Sequence, residues 1–562
     1  MSVIRDQSQR RILPRWRISS EAVRSAELTD LIPSKILVID NGTHLPEALH
    51  AFQKQPSIGS AADLISAASM ANETAATAEA AAFVLAHEDT APRTLVGLAR
   101  SLTQEAGHAD SGSPEINVAS NFHLDSKAVA RTRELLRLHS DNPLLWSDMA
   151  RHYASCGSRR EASRCMQVAL QLAPNHRWIL RTTVRFLVHR GDSIAAHRML
   201  VQHPRTSKDP WLLAAELATA QVAGRPPRFW RQANDVLRWD RAAPLHLSEL
   251  ATAVGMFELE GGAAKKARKL VEKGLRDPTE NALAQVSWAW QNKHLSGISN
   301  LDELVRQNDS AFEAAFRLKL TAGDLLAAKE EGERWALDEP FAARPMAGLA
   351  FIASVFDDYA ATVELEKQTR RIDREIDSTL ELNSIFALLS SGMLTSEKDA
   401  QKIKAIHDKL VISAKGEGAF HALANLGLWH YRFGDPEIGR LLYQQSIAIA
   451  EKSGPLEGAA LAASFAARET ILAGQPDVLD ILDKAKALAT RSRSTIAEFY
   501  NRKLDELRIS PENALDILSP SSAARFMKTP EPKQDQVRLV RGKQGLVAVA
   551  PMRKPPPRTG IR

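Results

Sequence analysis

The chain reads as all-α: a superhelical solenoid of helix pairs, with a small N-terminal α or α/β segment and a disordered basic C-terminal tail. Three observations lead there. Aromatic residues make up only 6% of the 562 while alanine and leucine dominate, a balance that favours helix over sandwich or barrel. Apolar residues recur at spacings of three, four and seven through the middle four hundred residues, as one face of a helix requires. The pattern also returns every 33 or 34 residues. A chain of this length needs either several cores or a repeat array.

Residues 1–115 do not follow the period. "SKILVIDNGTHLPEALHAF" offers a short β-branched run, an Asn-Gly turn and a helix start near Pro46. Between Ala61 and Ala86 twelve of 26 residues are alanine, which predicts two closely packed helices. "EAGHADSGSPEINVAS" (105–120) has the small, polar composition of a linker.

Residues 116–510 carry the repeat. In "LWSDMARHYASCGSRREASRCMQVALQLAP" (145–174), Trp146, Met149, Ala150 and Tyr153 line one helix face. Gly157 stops that helix, because glycine accepts the left-handed backbone of a helix end. A second helix then presents Ala162, Met166 and Ala169, and Pro174 closes the unit. Small residues at Ala150 and Ala162 allow close approach of the two axes. The unit resembles the 34-residue tetratricopeptide repeat, with Trp146, Ala150, Tyr153, Gly157, Ala162, Ala169 and Pro174 as its structural positions. Compatible residues follow at Leu180, Gly191, Ala196 and Leu200, at Leu213, Leu217 and Gly224, and at Leu250, Phe257, Gly261 and Leu270. "NLGLWHYRFGDPEIGRLLYQQSIAIA" (425–450) is a second clear copy. The resemblance implies stacked hairpins with an extended concave wall. The paired Lys and Asn with which some tetratricopeptide domains clamp a carboxyl-terminal peptide are not matched.

Residues 511–562 lose helical periodicity and gain proline, as expected of a largely disordered tail. Within them "QVRLVRGKQGLVAVAP" alternates around Gly542 and Gly545, which predicts a marginal hairpin or a strand that adds to a partner's sheet. The net charge of +6 is uneven. Residues 525–562 carry +8, residues 1–24 carry +4, and the middle sums to about −6.

No run is long and apolar enough for a membrane span, and the start lacks the apolar block of a secretory signal; a cytoplasmic protein is expected. Cys156 and Cys165 are too few for a disulfide framework or a zinc site. No phosphate-binding loop, dinucleotide fingerprint or nucleophile elbow occurs, and "HEDTAPR" (87–93) lacks the second histidine of a zinc-peptidase helix. No catalytic residue, metal or cofactor is therefore predicted. Asp40 and His44, after "KILVI", leave a small hydrolytic site within residues 30–110 open; a turn-forming Asp before Asn-Gly is the simpler reading.

First-helix residues not used for packing should face the groove. These are Arg151, Trp178, Arg181, Arg185 and His189, and later Tyr431 and Arg432. Arg181 and Arg185 lie one helical turn apart, so both guanidiniums are expected to meet one acidic ligand. The function this predicts is a non-enzymatic scaffold binding a protein partner in its concave groove. Two alternatives stand beside it: a nucleic-acid-associated component of a bacterial defence or toxin-type system acting through basic termini, and a small hydrolytic N-terminal domain.

Overall fold

The structure is a computed structural model. It describes residues 12–19, 44–71, 74–91, 95–96, 99, 126–239, 242–291, 295, 298, 300–372, 378–414, 419–453, 456–527, 538–542 and 545–549. The possible strand at 35–39, Asp40 and the expected linker at 105–120 lie outside the described residues.

Helices α1 (His44–Lys54), α2 (Ile58–Ala71) and α3 (Thr74–Ala86) come first, then α4 (Ser126–Leu138). The alanine-rich stretch does form two packed helices. Their core of Phe52, Leu64, Ile65, Ala80 and Val84 continues into Leu135 of α4, so this region is joined to the array by shared packing.

From residue 143 the helices alternate in pairs. These are α5 (Pro143–Ser155) with α6 (Arg159–Leu172), α7 (Arg177–His189) with α8 (Ser193–Gln202), and α9 (Pro210–Val222) with α10 (Trp230–Trp239). Next come α11 (Pro244–Glu260) with α12 (Ala264–Gly274), α13 (Glu280–Gln291) with α14 (Leu301–Arg306), and α15 (Phe312–Ala322) with α16 (Leu325–Asp338). Then follow α17 (Ala343–Val355) with α18 (Tyr359–Ile372), and α19 (Ser378–Ser390) with α20 (Glu397–Ala414). The series ends with α21 (Ala419–Phe433) and α22 (Pro436–Ser453), α23 (Leu456–Leu472) and α24 (Val478–Ser492), and α25 (Thr495–Ile509). From α5 to α15 and again from α17 to α25, successive odd helices pack on one another and form the inner layer, with the even helices outside. The first four inner helices begin at residues 143, 177, 210 and 244, close to the 34-residue interval.

Local chemistry starts these helices where they start. Asn142 accepts from the backbone N–H of Leu144 and Leu145, with Pro143 in the first helical turn. Asp209 caps α9 in the same way through Trp211, and Ser494 caps α25 through Ala497. Inside the first pair Ala150, Ala162 and Ala169 are fully buried. Trp146 is half-buried, and its indole donates to the carbonyl of Ser140 at 2.7 Å.

The superhelix is tightly wound. Gly157 has φ +73°, and a Cβ there would lie 2.2 Å from the carbonyl oxygen of Arg371 at the end of α18. The first pair thus touches the seventh. At the turn between α15 and α16, Gly323 meets Thr495 of α25 in the same manner. Five further turns also place glycine in the left-handed region, but the α17–α18 turn uses Asp357 at φ +61°. An Asp tolerates that strain better than most residues, and here its side chain is in use. Its carboxylate accepts from Lys503 Nζ at 2.5 Å, from the hydroxyls of Tyr500 (2.9 Å) and Tyr359 (3.0 Å), and from Arg468 at 3.4 Å. Asp357, Arg468 and Lys503 are fully enclosed. Burial lowers the Lys503 pKa despite the opposing pull of Asp357.

The packed array runs past residue 511. Short helices α26 (Ala514–Ile517) and α27 (Ala523–Phe526) place Ile517 and Phe526 against the core of α25, and Arg502 donates to the carbonyl of Phe526 at 2.7 Å. Strands β1 (Arg538–Gly542) and β2 (Gly545–Val549) then pair antiparallel with Gly542 opposite Gly545.

Replacing Asp357 with Ala keeps the backbone strain and leaves Arg468 and Lys503 buried without their shared carboxylate. A loss of ~3–5 kcal/mol in urea unfolding is expected. A change below ~1 kcal/mol would show that the contact between successive superhelical turns does not hold the array together.

Candidate peptide-binding groove and the segment inside it

Inner-layer helices leave a trough along the superhelix axis. Over its first turn that trough is filled rather than open. Residues 12–19, "ILPRWRIS", lie in it without regular secondary structure, and Ile12, Pro14, Arg15, Trp16 and Arg17 are all buried. Pro14 disfavours helix for the residue before it, so the segment enters in an extended form.

Side chains alternate along this segment as they do in a strand. Arg15 and Arg17 turn to one side, and Trp16 to the other. Trp16, with no exposed surface, packs against Phe186 at 5.7 Å between ring centroids and Phe341 at 5.0 Å. Arg15 meets Asp338 at 2.9 Å and Glu313 at 3.4 Å, with Glu339 at 3.7 Å. Arg17 meets the same Asp338 at 2.8 Å and Glu280 at 3.5 Å, and donates to the carbonyl of Ser310 at 2.9 Å. Ile12 inserts among Leu213, Leu217, Leu247 and Leu250.

The wall also grips the backbone. Arg151 Nε donates to the carbonyl of Trp16 at 2.9 Å, and its Nη2 donates to that of Asp338 at 2.8 Å. Asn281 Nδ2 donates to the carbonyl of Leu13 at 2.9 Å. Asp148 accepts from the N–H of Ser19 at 2.9 Å and from its hydroxyl at 2.6 Å. Nine elements, α5, α7, α9, α11, α13, the α14–α15 turn, α15, α16 and the α16–α17 turn, thereby converge on eight residues.

Electrostatics explain the tolerance for so much buried charge. Burial alone would lower the Arg15 pKa, but Glu339, Asp338, Glu313 and Glu280 outweigh it and raise it. Burial likewise acts to raise Glu280 and Glu339. Arg17 and Arg15 overcome this at Glu280, and Arg15 and Arg185 at Glu339, so both carboxyls titrate below the usual range.

The residues expected to line the groove divide into three groups. Arg151 bonds the chain's own backbone, at the carbonyl of Trp16. Arg185 lies over the Phe341 ring at 5.0 Å and His189 meets its edge at 5.6 Å, so both border the Trp16 pocket. Arg181 and Arg185 do not converge on one acid: Arg181 donates both its bonds to Glu249, at 2.8 and 2.9 Å, and stacks on Trp211 at 4.3 Å. Both partners are buried, which corrects the expectation of a free guanidinium there. Trp178 is also not at the groove. It is 2% exposed and packs between pairs with Leu144 and Ala169. Tyr431 and Arg432 sit in the second half of the array, bonded to Thr470 and Glu469. The sequence reading missed Trp16, Asp148, Glu280, Glu313 and Asp338. One signal for them exists: an acid near the inner face of several successive repeats, opposite a basic–aromatic–basic triplet.

Cys156 and Cys165 are free thiols with pKa values raised by burial, Cys165 to about 11. Among the described residues no group of three or more His, Cys, Asp and Glu is placed to hold a metal, and no helix is long and apolar enough to cross a membrane.

No protein-family model and no curated protein sequence matches the chain. Solved structures similar to it include the APC/C hetero-tetramer Cut9-Hcn1, at 11% identity and TM-score 0.31, covering 86% of this chain and 92% of that one. A human IFIT1 dimer with PPP-AAAA matches with 11% identity and TM-score 0.27 over 74% of this chain and 96% of its own. Yeast Tom70 has 12% identity and TM-score 0.26 over 75% and 98%. The chain is an all-helical solenoid of stacked helix pairs.

His189 supplies a pH test. Burial first, then Arg185 and Arg159, lower its pKa to about 3. An unfolded histidine takes its proton near pH 6.5, so between about 6.5 and 3 the unfolded state binds a proton that the folded state refuses, and stability falls with pH. His189→Gln is expected to flatten that decline between pH 7 and 5, measured as the difference in urea midpoints. Identical slopes in both proteins would contradict the assignment.

Proposed function

We propose that the chain is a non-enzymatic interaction scaffold that binds a protein partner as an extended segment along the inner wall of its solenoid. One observation supports this above the rest. The wall already holds eight residues of non-helical chain by its backbone carbonyls, by paired guanidiniums and by one aromatic anchor. Those are the components of peptide recognition: main-chain bonds for affinity and side-chain pockets for specificity. Repeat arrays lend themselves to the task because stacked hairpins give a long preformed surface.

Position-specific cross-linking tests the reading. A photoreactive amino acid is placed at Arg344, which borders the segment through Glu313, or at Lys404 on the outer helix α20. Capture from native extract with nuclease present is expected to give a protein adduct at position 344 and none at 404. Adducts at 404 alone would contradict the reading. So would capture that disappears with nuclease, which would favour nucleic acid held by the basic ends.

A further inference from the structure

We infer that residues 12–19 are a replaceable occupant of the groove, and that the partner displacing them presents an arginine–aromatic–arginine triplet in extended form. The inference rests on the inner wall being the partner surface, and it specifies the ligand chemistry of that wall.

The geometry points to the triplet. Among the described residues the Asp338 carboxylate pairs with Arg15 and Arg17 alone, and its side chain is 10% exposed. Any replacement must therefore bring cations to that carboxylate. Two guanidiniums at positions i and i+2 reach it from one side of an extended chain, where a forked, delocalised donor fits and a single ammonium does not span the same acceptors. Glu280 and Glu313 extend the acidic wall on either side, 3.5 Å from Arg17 and 3.4 Å from Arg15. The intervening position must be flat and apolar to fill the space between Phe186 and Phe341.

Three features mark the occupant as exchangeable. It is separated from the first helix, α1, by 24 residues of chain between Ser19 and His44. It contributes no helix to the array. The fit is also imperfect: Trp16 Nε1 is buried and has no acceptor among the described residues, a cost that a phenylalanine in its place avoids. A ligand carrying Arg-Phe-Arg would keep an aromatic ring between Phe186 and Phe341 and remove the unpartnered indole donor.

A tethered segment competes at an effective concentration on the order of millimolar, so the unaltered chain should bind such a peptide weakly. The probes are fluorescein-labelled synthetic peptides of sequence ILPRWRIS, ILPRFRIS and ILPAAAIS, titrated by anisotropy against the full chain. Against the chain carrying Arg15→Ala, Trp16→Ala and Arg17→Ala together, the first peptide is expected to bind at least about tenfold more tightly than to the unaltered chain. The phenylalanine peptide should equal or exceed it, and the alanine peptide should bind neither chain. Should the substituted chain lose its helical signal, the unaltered chain still decides. Excess unlabelled ILPRFRIS is expected to speed amide exchange of residues 12–19 while α5 to α17 keep their protection.

Three results would overturn the inference: equal binding to both chains, no binding to a substituted chain that stays helical, or exchange at residues 12–19 that excess peptide leaves unchanged. Stable dimers formed by mixing the two chains would overturn it as well, since a second copy would then be the occupant. Failure here with the cross-link at position 344 intact removes only the exchangeable segment. Failure of both removes the inner-wall reading itself.

Discussion

Asp338 is the constraint on which the first superhelical turn depends. It ends α16, and its carboxylate takes Arg15 from one direction and Arg17 from another. A lone buried carboxylate is costly, and removing one partner from a buried pair leaves the remaining charge uncompensated. Here two cations meet four acids, Glu280, Glu313, Asp338 and Glu339, supplied by different helix pairs. Glu313 also pairs with Arg317 of its own helix at 3.1 Å, and Glu339 accepts from the Trp335 indole at 2.9 Å. Asp338 has its cations only from the threaded segment among the described residues, so its charge is met when the wall encloses residues 15–17.

The second half of the array solves the same problem without a threaded segment. There the acid is Asp357, and the cations are Arg468 of α23 and Lys503 of α25, three and four helix pairs further on. The position that most turns give to glycine is given to an aspartate, which accepts backbone strain in return for a contact between turns. Arg468 adds to this by lying over Phe386 and Phe465, at 5.0 and 5.3 Å. One polar device thus ties the superhelix near each end, with apolar hairpin cores between them. The contrast bears on function: the Asp357 device is supplied by the helices and turns of the array, whereas the Asp338 device depends on a segment that is not itself helical.

What the sequence revealed was what is local. The spacing from Trp146 to Pro174 reports contacts within one hairpin, and the buried Ala150, Ala162 and Ala169 sit where that spacing requires. Gly157 was legible as a helix stop, but its second role, clearing the carbonyl of Arg371, depends on a residue over two hundred positions away. The inner-face arginines were found as residues and misread as partners. Helical spacing places Arg181 and Arg185 on one face, yet the choice between an outside ligand and Glu249 is made by the rotation between successive pairs, which no single repeat encodes. Trp16 escaped notice for the same reason. It lies in a basic stretch without periodicity, and its pocket is assembled from Phe186 and Phe341 by the winding of the whole turn.

A double-mutant cycle on Arg17 and Asp338 tests most directly whether the solenoid is wound around its own N-terminal segment. Unfolding free energies of Arg17→Ala, Asp338→Ala and the double variant give a coupling energy that depends on the two side chains meeting. The account predicts a coupling of about 2 kcal/mol or more. A value below about 0.5 kcal/mol, as expected for distant independent sites, would contradict it.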